Sequence, residues 1–167
     1  MNEWIAFLGR TVFIGIGATL LMDLWGIILK QFFGIKSLDF GMLGRWVGHL
    51  FHGQFFHKNI TTTTAIKGEK IIGWTIHYFI GITFAALLIL LWGIEWTKHP
   101  VILPAIFIGI VTVVAPFFIL QPGMGLGIAA SKTPNPNKAR LKSLLTHFIY
   151  GIGLYLSALL LNTFTTA

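Results

Sequence analysis

Three ionisable side chains stand inside long apolar runs of this chain, and each can carry a proton or help to hold a cation. Asp23 follows Phe13-Ile14-Gly15-Ile16-Gly17-Ala18-Thr19, His77 lies within Gly73-Trp74-Thr75-Ile76-His77-Tyr78, and His147 opens His147-Phe148-Ile149-Tyr150-Gly151. An acid beside a histidine can form an internal ion pair and relay protons. The chain contains no cysteine, so disulfides and thiolate chemistry are excluded.

Spacing indicates where these groups point. Residues four apart on a helix share a face, and small residues mark where helices approach one another in lipid. Gly15, Thr19, Asp23 and Gly26 form one such stripe; Gly73, His77, Gly81 and Ala85 form a second; Ser143, His147, Gly151 and Tyr155 form a third. Each ionisable residue therefore belongs to an inward face. Counted from Lys30, Lys70 and Lys142, all three should lie roughly 8–11 Å inside the same basic boundary, at 1.5 Å per residue. The expectation is one ligand-binding cluster of Asp23, His77 and His147, capped by Gln121, with Arg45 and Lys132 at its mouth. The plainer alternative is polar glue between helices, worth about 0.6–2 kcal/mol per bond.

The elements that must carry these residues are helices. Hydrophobic residues make up 55% of the chain and charged residues only 10%, too few to cover a domain in water. A helix needs roughly 20 apolar residues to cross a bilayer, and four stretches qualify, at about 11–29, 71–93, 101–120 and 144–161. The spacing predicts an all-α, polytopic integral membrane protein with four transmembrane helices, forming a single membrane domain over 1–167. The third span is interrupted by Pro104 and Pro116. The first reads as a retained helix rather than a cleaved signal, because it contains Asp23 and no small-x-small site follows.

A net charge of +7 would suggest nucleic acid in a soluble protein. Here the cations fall between apolar runs, so lipids are the expected partners and nucleic acid is not. Lys30, Lys36, Arg45, Lys58, Lys67 and Lys70 occupy the first connection, and Lys132, Lys138, Arg140 and Lys142 the third; the other side has Arg10 and Lys98. The positive-inside rule then puts both long connections in the cytoplasm and both termini in the periplasm.

Within the first connection, the apolar run from Phe40 to His52 is too short to cross a bilayer and fits an interfacial or re-entrant helix. His49 and His52, spaced i, i+3, could share a metal; histidines solvated by headgroups are the ordinary alternative. In the third connection, Gly125-x-Gly127-x-x-Ala130 follows a membrane helix rather than a strand, so it is not a dinucleotide motif. Its basic residues suit anionic headgroups. The halves also echo each other: Phe13-Ile14-Gly15-Ile16 matches Phe107-Ile108-Gly109-Ile110, and His77-x-x-x-Gly81 matches His147-x-x-x-Gly151. A parallel two-fold repeat would produce this, and chance in apolar sequence would too.

Five segments together resemble a family of small bacterial inner-membrane proteins known as a domain of unknown function. They are Gly17-Ala18-Thr19-x-x-Met22-Asp23-Leu24-Trp25, Gly44-Arg45-Trp46-x-Gly48-His49, Gly73-Trp74-x-x-His77-Tyr78, the run from Gln121-Pro122-Gly123 to Thr133-Pro134-Asn135-Pro136, and His147-x-x-x-Gly151-x-Gly153-Leu154-Tyr155. The resemblance covers roughly 10–157 and implies four helices in the bacterial cytoplasmic membrane. It brings no activity.

The functional expectation is a small multi-pass membrane protein with a cytoplasm-facing polar pocket that transports or binds a small solute, proton or cation. A homo-oligomer is expected, since four helices rarely enclose a pathway. Two alternatives stay open. One is a haem- or metal-binding redox protein with His77 and His147 as axial ligands, and the other is a structural subunit without a ligand. No nucleophile motif accompanies Ser131-Lys132, so an enzyme is not expected, and the sequence names no cofactor.

Overall fold

An apolar run in hydrocarbon must close its backbone hydrogen bonds on itself, and a helix does so. The structure, a computed structural model, describes residues 3–165 and is helical, with no strand among them. Its helices are α1 (Glu3–Phe33), α2 (Phe40–Leu50), α3 (Glu69–Trp92), α4 (Ile102–Gly123) and α5 (Pro136–Thr165). All but α2 are long and apolar enough to cross a membrane. α1 and α5 outrun the apolar stretches that announced them, α5 because a helix continues through Lys138, Arg140 and Lys142 where hydropathy has already ended. α1 stops at Gly34, whose φ of +65° lets the Ile35 N–H donate back to Leu29 O at 3.1 Å.

The two prolines of α4 act differently. Pro104 sits in the first turn, where its missing N–H would have no partner anyway. Pro116 stands in the interior and cannot donate, so the chain passes through a π turn over Pro116–Leu120 in which Gln121 N–H bonds Pro116 O.

In the bundle α5 lies between α1 and α4, α1 also packs on α3, and α3 meets α4 to close the ring. Ile14, Ala18, Ala85, Leu88, Ile108 and Leu154 fill the centre. Buried Tyr150 donates its hydroxyl to Gly81 O at 2.6 Å. Leu24, Phe79, Leu90 and Leu103 face outward and are exposed. The stripes of small residues do turn inward: Gly15, Thr19, Gly73, Gly81, Ala85 and Gly151 are buried. Each half has a tight crossing. A Cβ on Gly15 would lie 2.6 Å from Ile82 Cα, and one on Gly109 would lie 2.7 Å from Gly151 Cα. The halves are alike at these crossings and unlike elsewhere, since the second has no counterpart of α2 and carries Phe117 where the first carries Asp23.

α2 begins at Asp39, which accepts the Gly41 N–H at 2.8 Å, and lays Gly41, Leu43, Gly44, Val47 and Gly48 on the first turns of α3. Contact is backbone to backbone: a Cβ on Gly73 would lie 1.7 Å from Phe40 O, and one on Gly44 would lie 1.8 Å from Glu69 O. Gly73→Ala should therefore push α2 off α3, costing about 1–3 kcal/mol or more by overpacking. Thermal unfolding in detergent should show a clearly lower Tm, whereas Gly9→Ala, with nothing within 4 Å, should leave Tm unchanged or raised. Equal melting of Gly73→Ala and the parent would contradict the close approach.

Candidate functional site

Asp23 extends from α1 to α3 and engages both of its oxygens there. Oδ1 lies 2.9 Å from His77 Nε2, and Oδ2 accepts the Tyr78 hydroxyl at 3.0 Å. The His77 and Asp23 side chains are only 12% and 15% exposed. From α2, Phe40 covers them, its ring centroid 4.3 Å from that of His77 and 4.2 Å from that of Trp74. Three elements thus build one centre: α1 supplies the acid, α3 the imidazole and phenol, and α2 an aromatic lid. Gly44 and Gly73 let α2 come close enough for Phe40 to reach His77. Gly15, facing Ile82, and Gly81, facing Thr19, set α1 against α3. A carboxylate and an imidazole in direct hydrogen bond can pass a proton between them, with the phenol as a second donor to the acid.

Sequence reasoning missed Tyr78. Adjacent helical residues point about 100° apart, so Tyr78 does not share the His77 stripe; its length carries the hydroxyl round to Asp23. Its place beside His77, within the segment that carries the family resemblance, was the available signal.

His147 makes its hydrogen bond outside this centre. Its Nδ1 lies 3.0 Å from Thr112 Oγ1 on α4, a hydroxyl that also bonds Gly109 O at 2.7 Å. The reason is the Gly109–Gly151 crossing, which turns this face of α5 toward α4. Gln121 is buried; its Nε2 donates to Ser143 Oγ at 3.4 Å, and Oε1 has no partner. Arg45 is engaged by Glu69. Its Nε and Nη2 donate to the two Glu69 oxygens at 2.8 Å each, and Nη1 reaches the carbonyls of Ile60 at 3.2 Å and Thr63 at 3.1 Å. The hydrogen bond to Glu69 is the main cause of its raised pKa. Lys132 borders a separate cavity that none of Asp23, His77 and His147 lines.

His49 Nε2 lies 3.0 Å from Thr64 O, and His52 Nδ1 3.1 Å from Gly48 O, with the two ring centroids 6.5 Å apart. Among the described residues no group of three or more histidines and carboxylates is arranged to hold a metal. The ring nearer to His49 is that of His57, at 5.3 Å. His57 is buried, 6% exposed, with its N–H donating to Gly123 O at 2.9 Å and Nδ1 3.2 Å from Thr63 Oγ1. Next to it, Ala129 (φ 47°) and Ala130 (φ 59°) are consecutive left-handed residues, a conformation costing about 1–2 kcal/mol each. Arg140 Nε holds Ala129 O at 2.9 Å, and Thr133 Oγ1 holds Ala130 O at 2.8 Å.

The family whose model matches this chain, over residues 12–161, is described as a protein of unknown function (DUF2938). The chain belongs to that family. No curated protein and no solved structure matches it. The matched stretch contains Asp23, His77, Tyr78 and His147, so the centre is built wholly within the DUF2938 region.

Burial, and next the charge of His49, lowers the His57 pKa below its ordinary 6.5. The unfolded chain then binds this proton more readily than the folded one. Stability from a neutral His57 is complete above 6.5 and is lost as pH falls through 6.5 toward the folded pKa. Hydrogen exchange at residues 57–64, corrected for intrinsic rates, should show protection falling on acidification in the parent and much less in His57→Gln. The same pH dependence in both would show that His57 is not responsible.

Proposed function

We propose that this is a small multi-pass protein of the bacterial inner membrane that binds and moves protons, or a small cation in their place, at Asp23. A coupled small solute is compatible with the same centre. One observation carries the reading: within two apolar helices, both oxygens of Asp23 are held by titratable groups, His77 Nε2 at 2.9 Å and Tyr78 Oη at 3.0 Å. Ionisable residues at such positions mark ion paths and proton relays. The reading puts both basic connections in the cytoplasm and the termini in the periplasm, following the distribution of lysine and arginine. It includes a homo-oligomer, because four helices leave little room for a pathway. A bis-histidine haem has less support, since His77 Nε2 is taken by Asp23. Pure polar glue would make these residues matter for stability alone.

Reconstitution in vesicles with an entrapped pH dye decides between these readings. Under an imposed diffusion potential, with and without a sodium or potassium gradient, the parent should move protons. Asp23→Asn should stop the movement, and Tyr78→Phe should slow it about tenfold, the lower range for losing one proton-transfer partner. Equal rates in the parent and Asp23→Asn, or a parent that moves no protons under any of these gradients, would reject the reading.

A further inference from the structure

Where the two long connections meet, the structure holds a cavity of about 430 Å3, apart from the Asp23 centre. His57 of the first connection borders it together with Gly125, Gly127, Ser131 and Lys132 of the other. Backbone bonds join the connections here, from His57 N–H to Gly123 O at 2.9 Å and from Ile60 N–H to Met124 O at 3.1 Å. Gly127 has a φ of +74°, and a Cβ on it would lie 2.3 Å from Ser131 Oγ and 2.9 Å from Lys132 Cγ. The serine hydroxyl and the lysine stem therefore close over a bare Cα. His57 is 6% exposed; Thr63 Oγ1 engages its Nδ1, while Nε2 has no partner.

No carboxylate borders the cavity. Of the two acids in the first connection and at its junction with α3, Asp39 caps α2 and Glu69 is held by Arg45. An ammonium and a hydroxyl at a hollow without carboxylates form a donor set suited to a phosphate oxyanion. Phe56 and Ile128, both exposed, form an apolar rim.

We infer that this cavity binds a phosphate group, with Lys132 supplying the charge and the Ser131 hydroxyl a neutral donor. The apolar rim suits a phosphate carried on a lipid, while a free phosphate would use the same donors. The site stands apart from the Asp23 centre, and neither reading requires the other.

Calorimetry on the purified protein in neutral detergent tests it with dioctanoyl phosphatidic acid and inorganic phosphate, using dioctanoylglycerol as the phosphate-free control. Phosphatidic acid should bind the parent, and Lys132→Ala should weaken that binding about tenfold or more, as loss of one charged hydrogen bond does. Because Lys132 is exposed, its variant should melt with the parent. Lys132→Arg should retain binding, and so should Lys67→Ala, an equal charge change outside the cavity. Binding of inorganic phosphate as well supports the inference with a free phosphate as source; binding of phosphatidic acid alone supports it with a lipid headgroup. The inference is overturned if neither probe binds, if dioctanoylglycerol binds equally well, if Lys132→Ala loses nothing, or if Lys67→Ala loses as much.

Discussion

A carboxyl group inside an apolar bundle is costly unless a neighbouring helix provides hydrogen-bond partners, and Asp23 is answered twice from α3. That requirement ties α1 to α3. It fixes the rotation of α1 against α3, because both oxygens must find Nε2 and the phenol together. It also fixes the height of one helix along the other. Phe40 can cover the pair only if α2 returns to this level, and the connection after α1 brings it there.

What permits these meetings is the absence of side chains at the crossings. Gly15 opposite Ile82 lets α1 and α3 approach; Gly44 and Gly73 let α2 and α3 touch along their backbones; Gly109 and Gly151 do the same for α4 and α5. Without a hydrophobic drive between helices in lipid, close packing and interhelical hydrogen bonds must hold the bundle. The same glycines decide chemistry as well as packing. One crossing delivers His77 to a carboxylate, and the other delivers His147 to a threonine hydroxyl.

The connections form a layer of their own. Met124 packs with Leu43, Val47 and Ile60, and Trp46 Nε1 donates to Phe55 O at 3.0 Å, with its ring lying against Gly123. Arg45 ties this layer to the start of α3, bonding Glu69 and the carbonyls of Ile60, Thr61 and Thr63 in one fork. The π turn at Pro116 leads α4 directly into it. The layer therefore rests on α3 and α4 together, and the cavity beside Lys132 lies within it.

Much of this architecture was already legible in the residues. Apolar runs of bilayer length fixed the four long helices, because in hydrocarbon the backbone has no other way to satisfy itself. The spacing of Gly, Thr and Ala with Asp23 and His77 identified their inward faces, because helical periodicity acts locally. Which inward groups meet was beyond that reasoning. Periodicity gives a residue's direction on its own helix but not the rotation and neighbour of the next, so the Thr112 hydroxyl that meets His147 could not be read from spacing. Tyr78 escaped because the reach of a phenol depends on where another helix stands, and Arg45 because Glu69 and the Ile60 and Thr63 carbonyls come to it only when the chain folds back. Tertiary structure decided these pairings, since each depends on contact between segments distant in sequence, which no local pattern records.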